Sequence, residues 1–152
     1  MQGSYHLLAD VQCRQGLEPL TGVHLVVDAK ATKGLNHRAY VEEWLRRAAD
    51  LAGLTLLGFQ GVHLPSPLDS GPGVSVLAIL VESHASVETW PEHGVICMDF
   101  YSCKGFDVAA VVDSFRNHFG VTKILQQQAI ARFGVAPKTP REDRPWLTPH
   151  RL

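Results

Sequence analysis

Residues 74–82 read VSVLAILVE, the most continuously apolar stretch of the chain. The segment before this run, 66–73, is rich in Pro, Gly and Ser and is typical of a loop. An apolar run of this length that follows a loop predicts a strand near the centre of a sheet. The run is far shorter than the roughly 20 residues that span a bilayer, so no membrane segment is expected here.

Two segments with helical periodicity accompany this strand. The first follows a predicted cap at Asn36 and covers residues 37–53, where Gly53 ends it. Its apolar side chains recur every three or four residues and share one face: Val41, Leu45, Ala48 and Ala52. The second helix covers residues 107–119, and Gly120 ends it. Both helices are expected to cover a sheet.

Four further segments have the β-branched or apolar composition of strands: 23–28, 54–64, 95–101 and 121–131. The resulting order is β-α-β-β-β-α-β. Consecutive strands joined by short loops tend to pair antiparallel. The sequence therefore predicts an α+β fold, a two-layer sandwich with a mainly antiparallel sheet and helices on one face.

The composition suits one compact domain. The chain has 152 residues, of which 45% are hydrophobic and 19% charged, enough to bury a sizeable core. Lys and Arg number 14 against 15 Asp and Glu, so the net charge of -1 gives no broad electrostatic reason to bind nucleic acid or anionic lipid. Three cysteines are too few for a disulfide framework, and the N-terminus lacks a secretory pattern. A cytoplasmic protein with reduced thiols is expected.

The domain is predicted over residues 23–131. Residues 1–22 form an N-terminal extension of uncertain structure, either an edge strand or an arm that packs elsewhere. Residues 136–152 contain four prolines among charged residues and are predicted to be a mobile tail. Within that tail, Trp146 and Leu147 could still dock.

Ionisable and aromatic side chains crowd the window from Leu80 to Lys104. In an extended strand, side chains two residues apart share a face, so four of them are expected to project together: Cys97, Asp99, Tyr101 and Cys103. Cys103 is interpreted either as a buried thiol or as a reactive one, because the adjacent cation favours thiolate. The triplet ESH at 82–84, taken alone, is typical of a turn.

Two other kinds of site fit this window less well. Zinc ligands are available, but the separations of nine, four and six residues match none of the usual closed-site spacings: His84, His93, Cys97 and Cys103. No metal is therefore predicted. A cysteine hydrolase would need a thiol, a base and an orienting group together, and no local signature supports one.

Several short motifs in and around the window have a specific spacing. They are Gly73-Val74-Ser75, Glu82-Ser83-His84, Thr89-Trp90-Pro91-Glu92, Gly94, Asp99 and Cys103. Together they resemble the prokaryotic S-adenosylmethionine decarboxylases, small pyruvoyl-dependent enzymes of polyamine and spermidine biosynthesis. A weaker likeness extends over about residues 23–130.

The resemblance implies a proenzyme that cuts its own backbone. Ser83 would attack the carbonyl of Glu82, and elimination and hydrolysis would divide the chain between these two residues, leaving a pyruvoyl group derived from Ser83. That ketone forms a Schiff base with a substrate amine and accepts electrons as carbon dioxide leaves, so no external cofactor is needed. Cys103 matches the family's proton donor.

The resemblance also implies shared active sites. Ser75 matches a serine that assists processing, yet the extended strand between them would hold it about 26 Å from Ser83. A homodimer of cleaved protomers is therefore expected, in which Ser75 serves the site of the second copy. Trp90 and Glu92 match residues that bind the nucleoside of the substrate, although a Trp-Pro turn could equally be a structural plug.

Two positions depart from the family pattern. The family usually has histidine five residues after the cleavage serine, where this chain has Glu88. A carboxylate whose pKa is raised by burial accepts a proton, but once ionised it donates none, so His84 or His93 could act in its place. An aromatic residue that stacks on adenine is usual near residues 68–70, which here read Leu-Asp-Ser.

Three functions remain open from these residues. The first is an S-adenosylmethionine decarboxylase proenzyme. The second keeps the pyruvoyl chemistry with L-ornithine or L-arginine as the substrate, whose distal cation Asp69 or Glu88 would hold. The third is an unprocessed, inactive homologue that acts as a binding or regulatory subunit. Glu88 favours the third function, whereas retention of Ser83 and Cys103 argues against it.

Overall fold

The apolar run that starts at Val74 forms an inner strand of a six-stranded sheet. The computed structural model of the chain describes residues 22–132. In chain order the elements are β1 (Val23–Ala31), α1 (Arg38–Leu51), β2 (Leu56–Leu64), β3 (Gly73–Leu80), β4 (Ser83–Trp90), β5 (Val95–Ser102), α2 (Val108–Phe119) and β6 (Val121–Ala131), with a short 3-10 turn (Pro91–His93) between β4 and β5. The strands lie in the order β2-β3-β4-β5-β1-β6, and every adjacent pair is antiparallel.

One face of the sheet packs against both helices and forms the core. Side chains alternate along β1, so that Val23, Leu25 and Val27 are fully buried while the residues between them are partly exposed. The helices contribute a buried aromatic cluster to the same core: Trp44, Phe115 and Phe119. The predicted α+β sandwich, with an antiparallel sheet and helices on one face, is confirmed.

The other face of the sheet carries no helix within residues 22–132. It displays large apolar side chains that are 39–52% exposed: Val62, Leu77 and Ile79. Polar residues of β4, β5 and β1 surround them on the same face, because their strands alternate in the same register. We call this surface the uncovered face.

A reciprocal pair of hydrogen bonds joins the two helices. The Tyr40 hydroxyl donates to the carbonyl oxygen of His118 at 2.6 Å, and His118 Nε2 lies 3.0 Å from the carbonyl oxygen of Tyr40. The two rings also stack, with centroids 4.0 Å apart. Burial of His118 lowers its pKa, which favours the neutral imidazole.

The sequence prediction missed β4. Its buried inward positions are Ala85, Val87 and Thr89, of which only Val87 is a large apolar residue. Thr89 is satisfied there because its hydroxyl donates to the Leu35 carbonyl at 2.6 Å and accepts from the N–H of Val74 at 2.8 Å. These partners are distant in sequence, so the local pattern resembles a loop.

Other expected boundaries also need correction. The strand predicted through Glu82 ends at Leu80, because a turn follows it. Asn36 does not cap α1: His37 holds the cap position without a side-chain bond, and the Asn36 amide donates to the Ser70 carbonyl at 3.4 Å. Apart from residue 22, the predicted extension 1–22 and tail 136–152 lie outside the described residues. Neither helix of residues 22–132 is long and apolar enough to cross a membrane.

Candidate active site

The predicted cleavage point lies in a strained turn. β3 and β4 form a hairpin in which Leu80 pairs with Ser83, leaving only Val81 and Glu82 in the loop. Glu82 has a φ of 62°, a left-handed conformation that costs a residue with a Cβ about 1–2 kcal/mol. The N–H of Val81 donates to the Thr55 carbonyl at 2.9 Å and holds the turn in place. The strain therefore sits immediately before the Glu82–Ser83 peptide bond.

The hydroxyl of Ser83 is buried and uncommitted. Its Oγ forms no hydrogen bond of good geometry with any group in residues 22–132. Buried hydroxyls are normally satisfied, and the Ser83 hydroxyl lies close enough to Cys103 to lower the pKa of that thiol.

Cys103 lies beside this turn, just past the end of β5, and is 8% exposed. Its thiol donates to Oε2 of Glu82 at 3.3 Å. Burial raises the pKa of the Cys103 thiol, and the Glu82 carboxylate raises it further by accepting this bond and by its charge. The nearby Ser83 hydroxyl and Lys104 lower this pKa by less. The thiol is therefore kept in its protonated form. Lys104 acts in the expected direction, toward the thiolate, but burial and Glu82 outweigh it.

We call Glu82, Ser83 and Cys103 the cleavage cluster. Neither the bond from Cys103 to Glu82 nor the contact with Ser83 was predicted from sequence. Both depend on the pairing of Ser83 with Ser102 across β4 and β5, and β4 was not recognised as a strand. No local sequence pattern indicates the register in which β4 and β5 are paired.

The predicted common face of β5 is confirmed for three of its four residues. Cys97, Asp99 and Tyr101 lie on the uncovered face, whereas Cys103 follows the strand end and is buried. His84 also projects to the uncovered face, opposite to Ser83, and its ring centroid lies 5.3 Å from that of Tyr101.

Two further contacts between side chains lie on the same face. The guanidinium of Arg132 lies 5.0 Å from the Tyr101 ring centroid. His24 Nε2 lies 2.9 Å from Oδ1 of Asp99. Polar and aromatic groups thus continue from the cleavage cluster across the end of the uncovered face.

A second group of predicted site residues lies at the far end of the hairpin. Ser75 and Glu88 are direct partners across β3 and β4, and Ser75 Oγ is 3.4 Å from Glu88 Oε1. Cys97 stands opposite Glu88 on β5. Burial raises the pKa of the Cys97 thiol to about 12, aided by a hydrogen bond to Asp28 and by the charges of Asp28, Glu88 and Asp99. Three carboxylate side chains therefore lie around Cys97.

Trp90 and Glu92 belong to the same end, where β4 leads into the Pro91–His93 turn. Trp90 is half-buried, and Glu92 Oε2 is buried without a hydrogen-bond partner in residues 22–132. Asp69 lies exposed in the loop between β2 and β3. We call Ser75, Glu88, Trp90 and Glu92 the distal cluster.

The two clusters do not meet within one chain. Glu88 follows Ser83 by five residues of extended strand, which corresponds to about 17 Å. Ser75 is tied to Glu88 and is therefore about equally far from the cleavage cluster. The expected separation of about 26 Å is too large, because the chain turns back at Val81 and Glu82. One protomer holds the two groups of predicted site residues apart, one at each end of the β3–β4 hairpin.

The residues considered as zinc ligands are likewise dispersed. His84 is the second residue of β4, whereas His93 lies in the turn that follows the other end of that strand. Within residues 22–132, no group of three or more His, Cys, Asp or Glu side chains is arranged to hold a metal ion. Cys97 and Cys103 are free thiols.

Comparison with known proteins gives a consistent result for sequence and fold. A proenzyme named S-adenosylmethionine decarboxylase from Sulfolobus acidocaldarius is 36% identical over 72 residues, which cover 47% of this chain and 54% of that protein. One of the same name from Methanococcus aeolicus is 37% identical over 84 residues, covering 54% of this chain and 68% of that protein. The chain thus spans about half to two thirds of the length of these relatives.

A solved structure agrees at the level of the fold. The adenosylmethionine decarboxylase from Aquifex aeolicus superposes with a TM-score of 0.59 at 23% identity, covering 72% of this chain and 88% of that one. The sequence model of the S-adenosylmethionine decarboxylase family matches residues 23–132, which include β1 to β6 and both clusters. The chain belongs to the S-adenosylmethionine decarboxylase family.

Proposed function

We propose that the chain is a self-cleaving proenzyme of a pyruvoyl-dependent carboxy-lyase that decarboxylates S-adenosylmethionine in polyamine biosynthesis. One observation carries the proposal: the buried, unpaired hydroxyl of Ser83 follows the strained Glu82 and lies beside the protonated thiol of Cys103. Family membership and the names of the relatives support the substrate.

Self-cleavage starts with the Ser83 hydroxyl. Its oxygen bonds to the carbonyl carbon of Glu82 and its proton passes to the leaving nitrogen, so the amide bond is exchanged for an ester. Loss of the α-proton of Ser83 expels Glu82 as a carboxylate, and water then releases ammonia from the remaining enamine. Relief of the left-handed strain at Glu82 favours the forward direction.

The cleavage cluster fits a pyruvoyl group derived from Ser83, because that group would form where the buried hydroxyl now lies. The group supplies a ketone that withdraws electrons as carbon dioxide leaves. Cys103 holds a proton at Sγ, and the carboxylate of Glu82 orients the thiol before cleavage. A thiol kept protonated by burial is suited to donate that proton to the reacting carbon.

The separation of the two clusters supports a homodimer with shared sites. A two-fold axis through the middle of the β3–β4 hairpin would lay the turn end of one hairpin, which contains the Glu82–Ser83 bond, over the distal end of the other. The exposed apolar side chains of the uncovered face support face-to-face packing, in which two sheets lie about 10 Å apart. In that arrangement Ser75 and Glu88 assist processing in the second copy, and Trp90 and Glu92 bind its substrate.

We also propose that the enzyme is cytoplasmic. Free thiols such as Cys97 and Cys103 stay reduced in that compartment.

Release of labelled carbon dioxide from S-adenosylmethionine, L-ornithine and L-arginine tests the reaction. The full chain is expected to act on S-adenosylmethionine, and Ser83→Ala is expected to be both uncleaved and inactive. Release of carbon dioxide from L-ornithine or L-arginine, but not from S-adenosylmethionine, would show that the substrate is one of those two amino acids instead. Activity in Ser83→Ala would exclude a pyruvoyl mechanism.

A further inference from the structure

The Pro91–His93 turn is fastened to the end of β1 by two hydrogen bonds. Lys30 Nζ donates to the carbonyl oxygen of His93 at 2.7 Å. The backbone N–H of Ala31 donates to the carbonyl of Gly94 at 3.0 Å. Within the turn, the N–H of Gly94 donates to the Pro91 carbonyl at 3.1 Å, and Gly94 has a φ of 57°, which glycine adopts readily. The turn is therefore held in a defined position relative to β1.

The backbone of Lys30 is itself fixed. β1 lies between β5 and β6, and the Cα partners of Lys30 are Val95 and Lys123. Because the main chain is paired on both sides, only the Lys30 side chain has to be ordered for the bond to form. An ammonium that donates to a carbonyl forms a charge-assisted bond, which is stronger than a neutral one.

Glu92 extends from the middle of this turn and carries an unsatisfied oxygen. Its Oε2 is buried and has no hydrogen-bond partner within residues 22–132. A buried carboxylate oxygen without a partner is unfavourable, so its retention favours a role in accepting hydrogen bonds from a ligand. The bond from Lys30 holds the carbonyl of His93, the residue next to Glu92.

We propose that Lys30 is a positioning residue for the substrate, because its bond to His93 fixes the turn that presents Trp90 and Glu92. The inference rests on the proposed function, in which Trp90 and Glu92 bind the substrate. Lys30 acts through the backbone of the turn, because its ammonium is engaged by the His93 carbonyl. It does not contact the reacting atoms, which in the proposed dimer lie with Ser83 of the second copy.

Steady-state decarboxylation of S-adenosylmethionine by the full, processed chain tests this role. Lys30→Met keeps the aliphatic stem and removes the hydrogen-bond donor. We expect KM to rise about tenfold, because one hydrogen bond from a charged group is lost. The kcat is expected to stay nearly unchanged. Lys30→Arg retains a charged donor and is expected to restore KM.

Lys123→Met is the matched control. It removes the same charge from the residue paired with Lys30 on β6, but not the bond to His93, so KM is expected to match that of the wild type. An unchanged KM in Lys30→Met, or an equal rise in Lys123→Met, contradicts the inference and leaves the proposed function intact.

Two further outcomes are distinguishable. A parallel loss of kcat and self-cleavage in Lys30→Met that Lys30→Arg does not restore assigns Lys30 a general structural role and overturns the inference. A wild-type chain that cleaves itself but releases no carbon dioxide from S-adenosylmethionine contradicts the proposed function, and the inference falls with it. If Lys30→Met does not fold, Lys30→Leu, which also lacks a donor, replaces it, with a raised KM expected and an unchanged KM as the contradicting result.

Discussion

Cys103 illustrates how the surroundings of one side chain set its chemistry. A cation beside a cysteine commonly favours the thiolate, yet burial and the Glu82 carboxylate outweigh Lys104 here and raise the pKa of the thiol. The thiol is thus kept in the form that a proton donor requires.

Cys103→Ala is expected to lower kcat by about 100-fold or more, the usual contribution of a positioned proton donor. Self-cleavage is expected to proceed to a similar extent, because the attacking group is Ser83. Gel analysis of cleavage and carbon dioxide release from the same sample separate the two effects. Unchanged turnover would remove Cys103 from this role.

Glu88 occupies the place where relatives usually have a histidine, and it contacts Ser75. An imidazole both accepts and donates a proton near neutral pH, whereas an ionised carboxylate only accepts. Glu88→His is therefore expected to speed self-cleavage by about tenfold or more, measured as a time course of the two fragments. Asp113→His replaces an exposed carboxylate of α2 with an imidazole and is expected to leave the rate unchanged. A slower or unaltered rate in Glu88→His would show that this carboxylate serves another task.

The link between α1 and α2 predicts a pH dependence of stability. Neutral His118 fits between Tyr40 and Phe119, and Arg47, Glu43 and Lys33 are the charged groups that act on it. Because folding lowers the pKa of His118, this histidine takes up a proton at a higher pH in the unfolded chain than in the folded chain. The free energy of unfolding is expected to fall below about pH 6.5, by at most about 1.4 kcal/mol per pH unit.

Denaturant unfolding between pH 7.5 and 5.5 measures this effect. These pH limits lie on either side of the ordinary histidine pKa of about 6.5. His118→Gln is expected to abolish the extra loss of stability at the lower pH, and His63→Gln, at an exposed histidine, is expected to retain it. Identical pH profiles for the wild type and His118→Gln would contradict this account.

The elements differ in how far their local sequence predicts them. The strand at Val74 and the two helices were predicted because the apolar pattern of their own residues indicates which side chains are buried. β4 was not recognised, since the burial of Thr89 depends on the carbonyl of Leu35, 54 residues away. Ser83 and Cys103 were identified by motif, but their contact depends on the β4–β5 register, which no single segment encodes.

The whole molecule has one face that a single chain leaves open. Leu77 lies near the middle of the β3–β4 hairpin, pairs with Ser86, and is 39% exposed. In a two-fold dimer formed on this face, Leu77 of each copy would lie near the axis and meet its equivalent. A charge introduced there would be buried against an identical charge.

Leu77→Glu is expected to yield monomers and to abolish both self-cleavage and turnover, because each site needs residues from two copies. Sedimentation velocity and carbon dioxide release measure these effects. Leu51→Glu, at a leucine on α1 that is 44% exposed, is expected to leave the dimer intact. A wild-type chain that is monomeric and active would contradict the shared site.

The mass of the purified full chain tests the central claim most directly. The account predicts two fragments that divide between Glu82 and Ser83, the second with a blocked amino end that reacts with a carbonyl-trapping reagent. A single intact species of 16.7 kDa that is inert toward the reagent would contradict it.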